Sequence, residues 1–181
     1  MSFIDLVSKR YSLRNYKDTP VEREKIDRCI EAVRLAPSAC NSQPWKFIVV
    51  DEPELKNELA KVAFNEILEI NGFAFKAPVL VLMVSERQKV FAKFAGIVKK
   101  KNFSLMDIGI AAEHFCLQAA EEGLGTCMLG WFNEKKVKDI LSIPRAKRVE
   151  LMISAGYSAD DSVPAKKRKS TDEILSYNKY C

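Results

Sequence analysis

The chain has 181 residues, 48% of them hydrophobic, and its 29 Lys and Arg residues outnumber 24 Asp and Glu residues to give a net charge of +5. At this length, folding buries enough apolar surface for one globular domain to hold together without disulfides or a structural metal. The composition therefore excludes disordered, fibrous and disulfide-stapled proteins.

The rare residue types limit the chemistry that the chain can perform. His114 is the one histidine, so any Ser-His or Cys-His nucleophile would have to use it. We interpret it as a satisfied core or interface residue, because no nucleophile accompanies it in the sequence. The five cysteines form no C-x-x-C pair, which favours reduced thiols in a cytosolic protein over a secreted disulfide framework.

Neither the N-terminus nor any internal run predicts export or membrane insertion. Charged residues begin at Asp5, and the longest apolar run, Ala77–Val84, is far too short to span a bilayer. The positive charge favours an anionic partner, yet the basic runs lack the interleaved aromatic residues that stack nucleic-acid bases. We therefore expect a cytoplasmic protein that binds neither membrane nor nucleic acid, which leaves an acidic surface or a phosphorylated small molecule as the anion.

Helical and strand periodicities alternate along the chain. In chain order they predict a short amphipathic start, a helix at Val21–Leu35, a strand at Lys46–Val50, helices at Glu54–Val62 and Phe64–Ile70, a strand at Val79–Val84, a mobile helix or lid at Arg87–Asn102, a helix at Leu105–Glu122, a strand at Thr126–Leu129, a helix at Asn133–Leu141, a strand at Val149–Gly156 and a last short helix at Thr171–Leu175. Because this order lacks strict β-α-β repetition, we predict an α+β fold in one domain over residues 1–181. Its central sheet would be mostly antiparallel and flanked by helices.

The predicted helix Leu105–Glu122 is apolar on nearly every face. Such a helix is buried on all sides, and a chain this short has difficulty in wrapping it completely. We therefore predict an interlocked homodimer with this helix at its centre.

Two short motifs near the chain ends each contain two cations at an even spacing, four positions apart in the first motif and two in the second. In the run Arg10–Arg14 (Arg-Tyr-Ser-Leu-Arg), an extended backbone would project residues 10, 12 and 14 to one side, which suits a phosphate. The run Pro164–Arg168 (Pro-Ala-Lys-Lys-Arg) places Lys166 and Arg168 two positions apart. Taken alone, a solvated basic edge and a solvated tail are the simpler interpretations.

A third motif, Ala36–Trp45, confines small polar residues between two prolines. Asn41 and Gln43 each offer a donor and an acceptor, as reading the edge of a planar heterocycle requires. A plain helix-to-strand connection explains the run equally well. The glycine run Gly123–Gly130 lacks the spacing and the strand-before-helix order of a dinucleotide fingerprint, so it predicts no Rossmann NAD site. Gly130 instead is typical of backbone that passes close to a flat group.

Taken in order, these motifs resemble the FMN-dependent nitroreductase family over residues 3–174. The resemblance rests on Arg-x-Ser-x-Arg at 10–14, the Pro-Ser-Ala-Cys-Asn-Ser-Gln-Pro-Trp block at 37–45, the Asp107 helix leading into Gly123–Thr126, and Lys-x-Arg at 166–168. It implies a nitroreductase-like homodimer with FMN at the subunit interface and NAD(P)H as co-substrate. It also implies ping-pong reduction of a nitroaromatic, a quinone or a similar small electron acceptor.

By position, the resemblance implies flavin-borne chemistry with no catalytic side chain and no metal. The FMN-binding residues that it implies are Arg10, Tyr11, Ser12, Arg14, Pro37, Ser38, Ala39, Asn41, Gln43, Met128, Leu129, Gly130, Lys166 and Arg168. The residues near the two chain ends would hold the phosphate and the pyrimidine side of the ring, and those of the 37–43 loop would come from the partner chain. A backbone N–H of Leu129 or Gly130 would point at the flavin N5 atom, and Arg14 would stabilise negative charge at the N1 and O2 edge.

Two segments depart from the family pattern. Cys40 stands where the family commonly has Gly or Ser, and a buried structural thiol is favoured there over a redox-active one. Arg87–Asn102 contains no motif of the family. The rival hypotheses are a flavin sensor or FMN carrier, a different flavin reaction such as dehalogenation or dehydrogenation on the same fold, and a basic nucleic-acid-binding domain.

Overall fold

The fold is built on a four-stranded sheet. The structure is a computed structural model that describes residues 1–65, 67–89, 92, 96, 98–160 and 162–180. The strands are β1 (Trp45–Val50), β2 (Val79–Ser85), β3 (Gly125–Leu129) and β4 (Arg148–Gly156), in the spatial order β1-β2-β4-β3. Every neighbouring pair is antiparallel. This sheet, with the helices around it, confirms the predicted α+β class.

Helices cover both faces of the sheet. They are α1 (Phe3–Lys9), α2 (Arg23–Arg34), α3 (Pro53–Ala63), α4 (Phe103–Glu121) and α5 (Glu134–Ile140), with short 3-10 helices at Ala39–Asn41 and Gly72–Phe75. Residues of α3 and α5 belong to one hydrophobic core, and residues of α2 and α4 belong to a second. Among the described helices, none combines the length and hydropathy that crossing a bilayer requires.

The position of β2 in the sheet explains why its sequence is apolar without interruption over Val79–Val84. Leu80, Leu82 and Val84 belong to the core beneath α3 and α5. Val79 and its alternate neighbours belong to the core beneath α2 and α4. Since successive side chains of a strand point to opposite faces, a central strand between two helical layers must be apolar at every position.

Helix α4 buries only one of its sides within the chain. Its inner face, which includes Ala111, Phe115 and Ala119, is fully buried against α2 and the sheet. On the outer side, Leu105 and Met106 are 48% and 52% exposed. The apolar residues that predicted burial on all sides are therefore covered on one side by this chain and uncovered on the other.

Two predicted helices are wrong. At Phe64–Ile70, Asn65 and Ile70 pair as an isolated bridge, and the Asn65 side chain accepts a hydrogen bond from the Leu68 N–H at 2.8 Å. Glu69 then has a φ of 49°, a left-handed conformation that no helix continues. Thr171–Leu175 forms turns only, in which the Glu173 N–H donates to the Ser170 carbonyl at 3.2 Å and the Ile174 N–H donates to the Thr171 carbonyl at 3.1 Å. Residues 90, 91, 93–95 and 97 of the predicted lid lie outside the described residues.

The segment after α1 runs along the edge of the sheet beside β3. Ser12 forms a parallel bridge with Thr126, and the Leu13 N–H donates to the Thr126 carbonyl at 2.9 Å. Leu13 is completely buried over Gly125, where an added Cβ would lie 2.3 Å from a Leu13 methyl carbon. The glycine at the start of β3 is therefore required by the close approach of this segment.

Gly125→Ala is expected to destabilise the chain by about 1–3 kcal/mol, because the buried Leu13 has no free space into which it can move. Gly72→Ala is the matched control, since its Cβ would meet Phe64 at an ordinary 3.6 Å. Urea unfolding followed by circular dichroism measures both variants. Equal midpoints for the two variants would contradict this account of Gly125.

Candidate functional site

The two ends of the chain meet at a cluster of cations formed by Arg10, Lys166 and Arg168. The Lys166 ammonium donates to the carbonyl of Val7, near the end of α1. Partial burial lowers the pKa of Lys166, and the positive charges of Arg10 and Arg168 lower it further. Like charges held this close without a compensating charge raise the free energy of the site. The cluster is thus suited to an anion with more than one negative charge.

Glu113 of α4 compensates one charge of this cation cluster. Its carboxylate lies 3.3 Å from the Arg10 Nε atom, and the Arg10 side chain is the more buried of the two. The ion pair fixes the Arg10 guanidinium against α4. The same carboxylate raises the pKa of Lys166, but burial and the two arginines outweigh it, so three cations share one negative charge here. Sequence reasoning missed Glu113, because nothing in its spacing relates it to residue 10.

Arg14 lies on a different part of the same segment. Its guanidinium donates to the Ser12 carbonyl at 3.3 Å and lies 5.8 Å from the centre of the Phe73 ring. Ser12 and Arg14 are exposed while Leu13 between them is buried, as the alternation of an extended segment predicts. Tyr11 points to the other side of the segment from Ser12, where its hydroxyl lies 2.9 Å from the Ser158 hydroxyl.

Open space follows strand β3. Met128 is exposed and Leu129 is buried, and a Cβ added to Gly130 would meet no atom within 4 Å. Trp131, which follows Gly130, is held by Asn71. The Asn71 side-chain amide donates to the Trp131 carbonyl at 2.9 Å and to the Ala63 carbonyl at 3.1 Å, and Asn71 itself has a φ of 65°. Sequence reasoning missed Asn71, although the dipeptide Asn71-Gly72 is a turn signal.

The 37–43 loop is held in an unusual backbone conformation. Cys40, Asn41 and Gln43 have φ values of 54°, 50° and 45°, which non-glycine residues adopt rarely. The Ser38 hydroxyl accepts from the Gln43 N–H at 2.9 Å, and the Gln43 amide donates to the Asn41 side chain at 2.8 Å. Pro37 is exposed beside them.

Cys40 corrects one expectation, because its thiol is exposed rather than buried. It occupies the middle of the 3-10 helix Ala39–Asn41, and its left-handed φ turns it out of the helix path. No reactivity follows from exposure alone.

The loop and the cation cluster are separate within one chain. Ala39 of the loop donates to Asp107 near the start of α4, whereas Arg10 of the cluster pairs with Glu113 further along the helix. The rise between these two α4 residues is about 9 Å. Among the described residues, no hydrogen bond or ion pair joins the loop to the cluster. His114 is half-buried, with Nδ1 2.9 Å from the Ile110 carbonyl oxygen.

The order of these parts matches a known family. A sequence profile of the Nitroreductase family matches residues 7–157. The chain belongs to this family. The match includes the 10–14 segment, the 37–43 loop and the end of β3, and it stops before the tail that carries Lys166 and Arg168. The resemblance found in the sequence is thereby confirmed.

Individual members of the nitroreductase family agree with the match. An FMN-dependent nitroreductase from Clostridium difficile superimposes with a TM-score of 0.80 at 29% identity, covering 98% of this chain and 100% of that one. An NADPH-dependent oxidoreductase of Staphylococcus haemolyticus is 27% identical over 97% of this chain and 73% of its own. Iodotyrosine deiodinase 1 of Rattus norvegicus is 30% identical over 96% of this chain and 68% of its own.

Proposed function

We propose that the chain is an FMN-dependent NAD(P)H oxidoreductase that reduces small acceptors such as nitroaromatics or quinones. The observation that carries the proposal is the meeting of the two cationic motifs, where the Lys166 ammonium donates to the Val7 carbonyl of α1, three residues before Arg10. Burial lowers the pKa of Lys166, and the charges of Arg10 and Arg168 lower it further. A phosphate monoester brings a charge of about −1.5 to −2 at pH 7 and three acceptor oxygens, which such a cluster would compensate.

The residues present fit the rest of FMN as well. The open space at Gly130 leaves room for a flat ring against the end of β3. Arg14 lies on the same segment as the cluster and would supply positive charge to the pyrimidine edge. Met128 and Leu129 flank the same position, and a backbone N–H of Leu129 or Gly130 would donate to the ring.

The complete site would require a second copy of the chain. The loop residues Ser38, Ala39, Asn41 and Gln43, with Pro37 beside them, are expected to contact FMN, but the loop is anchored about 9 Å along α4 from the cation cluster of its own chain. The uncovered apolar residues Leu105 and Met106 of α4 favour a homodimer in which another copy covers this face. In that arrangement the loop of one copy would reach the cluster of the other.

Bound FMN would supply the chemistry of the reaction, accepting a hydride from NAD(P)H and passing electrons to the acceptor. The protein's own groups would orient the ring and stabilise negative charge on it: Arg14 by its fixed guanidinium, and the end of β3 by a backbone N–H. No side-chain acid or base is needed for these roles. NAD(P)H and the acceptor would occupy the same open side in turn, which gives ping-pong kinetics.

A second candidate is reductive dehalogenation, favoured by the similarity to iodotyrosine deiodinase over nearly the whole chain. It would use the same FMN site with a halogenated aromatic as the acceptor. Comparing turnover of iodotyrosine with turnover of nitroaromatics and quinones distinguishes the two candidates.

The proposed function is tested by visible spectra of the purified chain before and after adding FMN, followed by NADH or NADPH under argon. We expect tight retention of a yellow chromophore, bleaching by at least one nicotinamide, and return of the colour on adding a quinone. Parallel lines in double-reciprocal plots would support the ping-pong order. A chain that retains no FMN once the free flavin has been removed would exclude the proposal, and one that binds FMN without bleaching would be a sensor or carrier.

A further inference from the structure

Asp107 is a buried acid in an apolar setting. It is 3% exposed, and among the described residues it is the one buried carboxylate. Its neighbours on α4, Ile108 and Ala111, belong to the hydrophobic core under that helix. Burial removes the hydration of a carboxylate, which costs free energy unless hydrogen bonds from the protein replace the lost water.

The two oxygens of Asp107 differ in their partners. Oδ1 accepts a hydrogen bond from the Ala39 N–H at 3.0 Å. Oδ2 is buried with no hydrogen-bond donor among the described residues. An unsatisfied buried oxygen in a native fold requires an explanation. Here the explanation is that the hydrogen bond from the Ala39 N–H to Oδ1 fixes the carboxylate, and this position leaves Oδ2 without a donor.

That position is the entrance to the strained part of the 37–43 loop. Ala39 immediately precedes Cys40 and Asn41, both in the left-handed region. Such conformations persist only where the surroundings fix them. One fixed point is the bond from the Gln43 N–H to the Ser38 hydroxyl, within the loop itself. The bond from Ala39 to Asp107 is the fixed point that ties the loop to a helix.

We propose that Asp107 is a positioning residue, which holds the loop in the conformation that presents Asn41 and Gln43 to FMN. The inference rests on the proposed function, because the loop is where the second copy would contact the cofactor. It goes further in assigning the loop's geometry to one side chain on α4. Since α4 also carries the uncovered Leu105 and Met106, the loop and the proposed interface would be set by the same helix.

The test uses three variants of the full chain. Asp107→Leu removes the acceptor while keeping the number and branching of the side-chain heavy atoms, and Asp107→Asn keeps an oxygen for the Ala39 N–H. Gln118→Leu is a control on α4, because the native Gln118 side chain bonds Glu122 instead. The measurements are amide hydrogen exchange at Ala39 without FMN, the FMN dissociation constant by flavin fluorescence, and the melting temperature without FMN.

Asp107→Leu is expected to lose protection at the Ala39 amide and to bind FMN at least about tenfold more weakly, equivalent to about 1.4 kcal/mol. Its melting temperature should stay close to that of the native chain, because removing a buried carboxylate with one unsatisfied oxygen from an apolar setting offsets the loss of one hydrogen bond. Asp107→Asn should keep both protection and affinity, as should Gln118→Leu. A residue that only stabilised the fold would change the melting temperature and the affinity together.

If native chain and Asp107→Leu bind FMN equally and protect Ala39 equally, the inference is overturned while the proposed function stands. If the native chain binds no FMN, the proposed function fails, and exchange at Ala39 still reports whether Asp107 fixes the loop. Should Asp107→Leu not fold, Ala39→Pro removes the donor of the same bond, and the preceding Ser38, at φ −148° and ψ 155°, is compatible with a following proline. Native-like FMN affinity in Ala39→Pro would then overturn the inference.

Discussion

Gly130→Val is expected to leave the chain folded without cofactor and to weaken FMN binding by about 10- to 100-fold, with loss of NAD(P)H oxidation in proportion. The apo fold should tolerate the change, because a Cβ at this position would meet no atom within 4 Å and Gly130 is not in the left-handed region. The same space is where the proposed ring lies, so the valine methyl groups would occupy it instead. Fluorescence titration with FMN and melting temperatures of the apo chain measure the two effects.

Gly130→Ala provides a graded control for the valine variant. Its single methyl group should reduce FMN affinity less than valine does and leave the melting temperature unchanged. If Gly130→Val binds FMN as tightly as the native chain, the ring does not lie at the end of β3.

Arg168→Ala is expected to weaken FMN binding by about tenfold, and the double variant Lys166→Met with Arg168→Ala by about 100-fold or more. Each charged hydrogen bond to the phosphate would be lost with its side chain. The exposed Arg168 contributes less than the half-buried Lys166, since water and salt screen its charge more strongly. Isothermal titration with FMN at two salt concentrations measures the loss, and the dependence on salt should be smaller in the variants.

Lys167→Ala is the matched control for charge, since this lysine is exposed and lies between the two others in sequence. Its affinity for FMN should remain native. The affinity of the native chain should also fall with rising pH, starting below the ordinary lysine pKa of 10.5. The sign follows because the lowered pKa lets Lys166 lose its proton earlier, and the phosphate binds the protonated form. Equal loss in Lys167→Ala and Arg168→Ala would mean that only overall charge matters.

The sequence predicted the sheet well because its strands depend on local patterns. The apolar run Val79–Val84 of β2 and the glycines that follow α4 both signal their elements without reference to distant residues. The helix predicted from the apolar spacing at Phe64–Ile70 is wrong because the conformation of this segment does not follow from that spacing. Ile67 is 92% exposed, so its hydrophobic character does not report burial, and the Asn65 side chain sets the turn.

The candidate site was predictable as residue types and not as geometry. Arg10, Lys166 and Arg168 could be named from their spacing, yet their meeting depends on how the tail returns to α1. The contacts that complete the site join residues distant in the sequence. Glu113 pairs with Arg10, Asn71 donates to the Trp131 carbonyl, and Asp107 accepts from the Ala39 N–H. Contacts of that kind follow from tertiary structure, and no periodicity records them.

The cation cluster has a consequence for biosynthesis. Arg10 precedes all four strands of the sheet in the chain, while Lys166 and Arg168 follow all four. A nascent chain that has completed β4 therefore contains Arg10 and its partner Glu113 without the other two cations. Capture of a phosphate by the complete cluster would follow synthesis of the whole sheet, so the ligand could not assist the pairing of the strands before then.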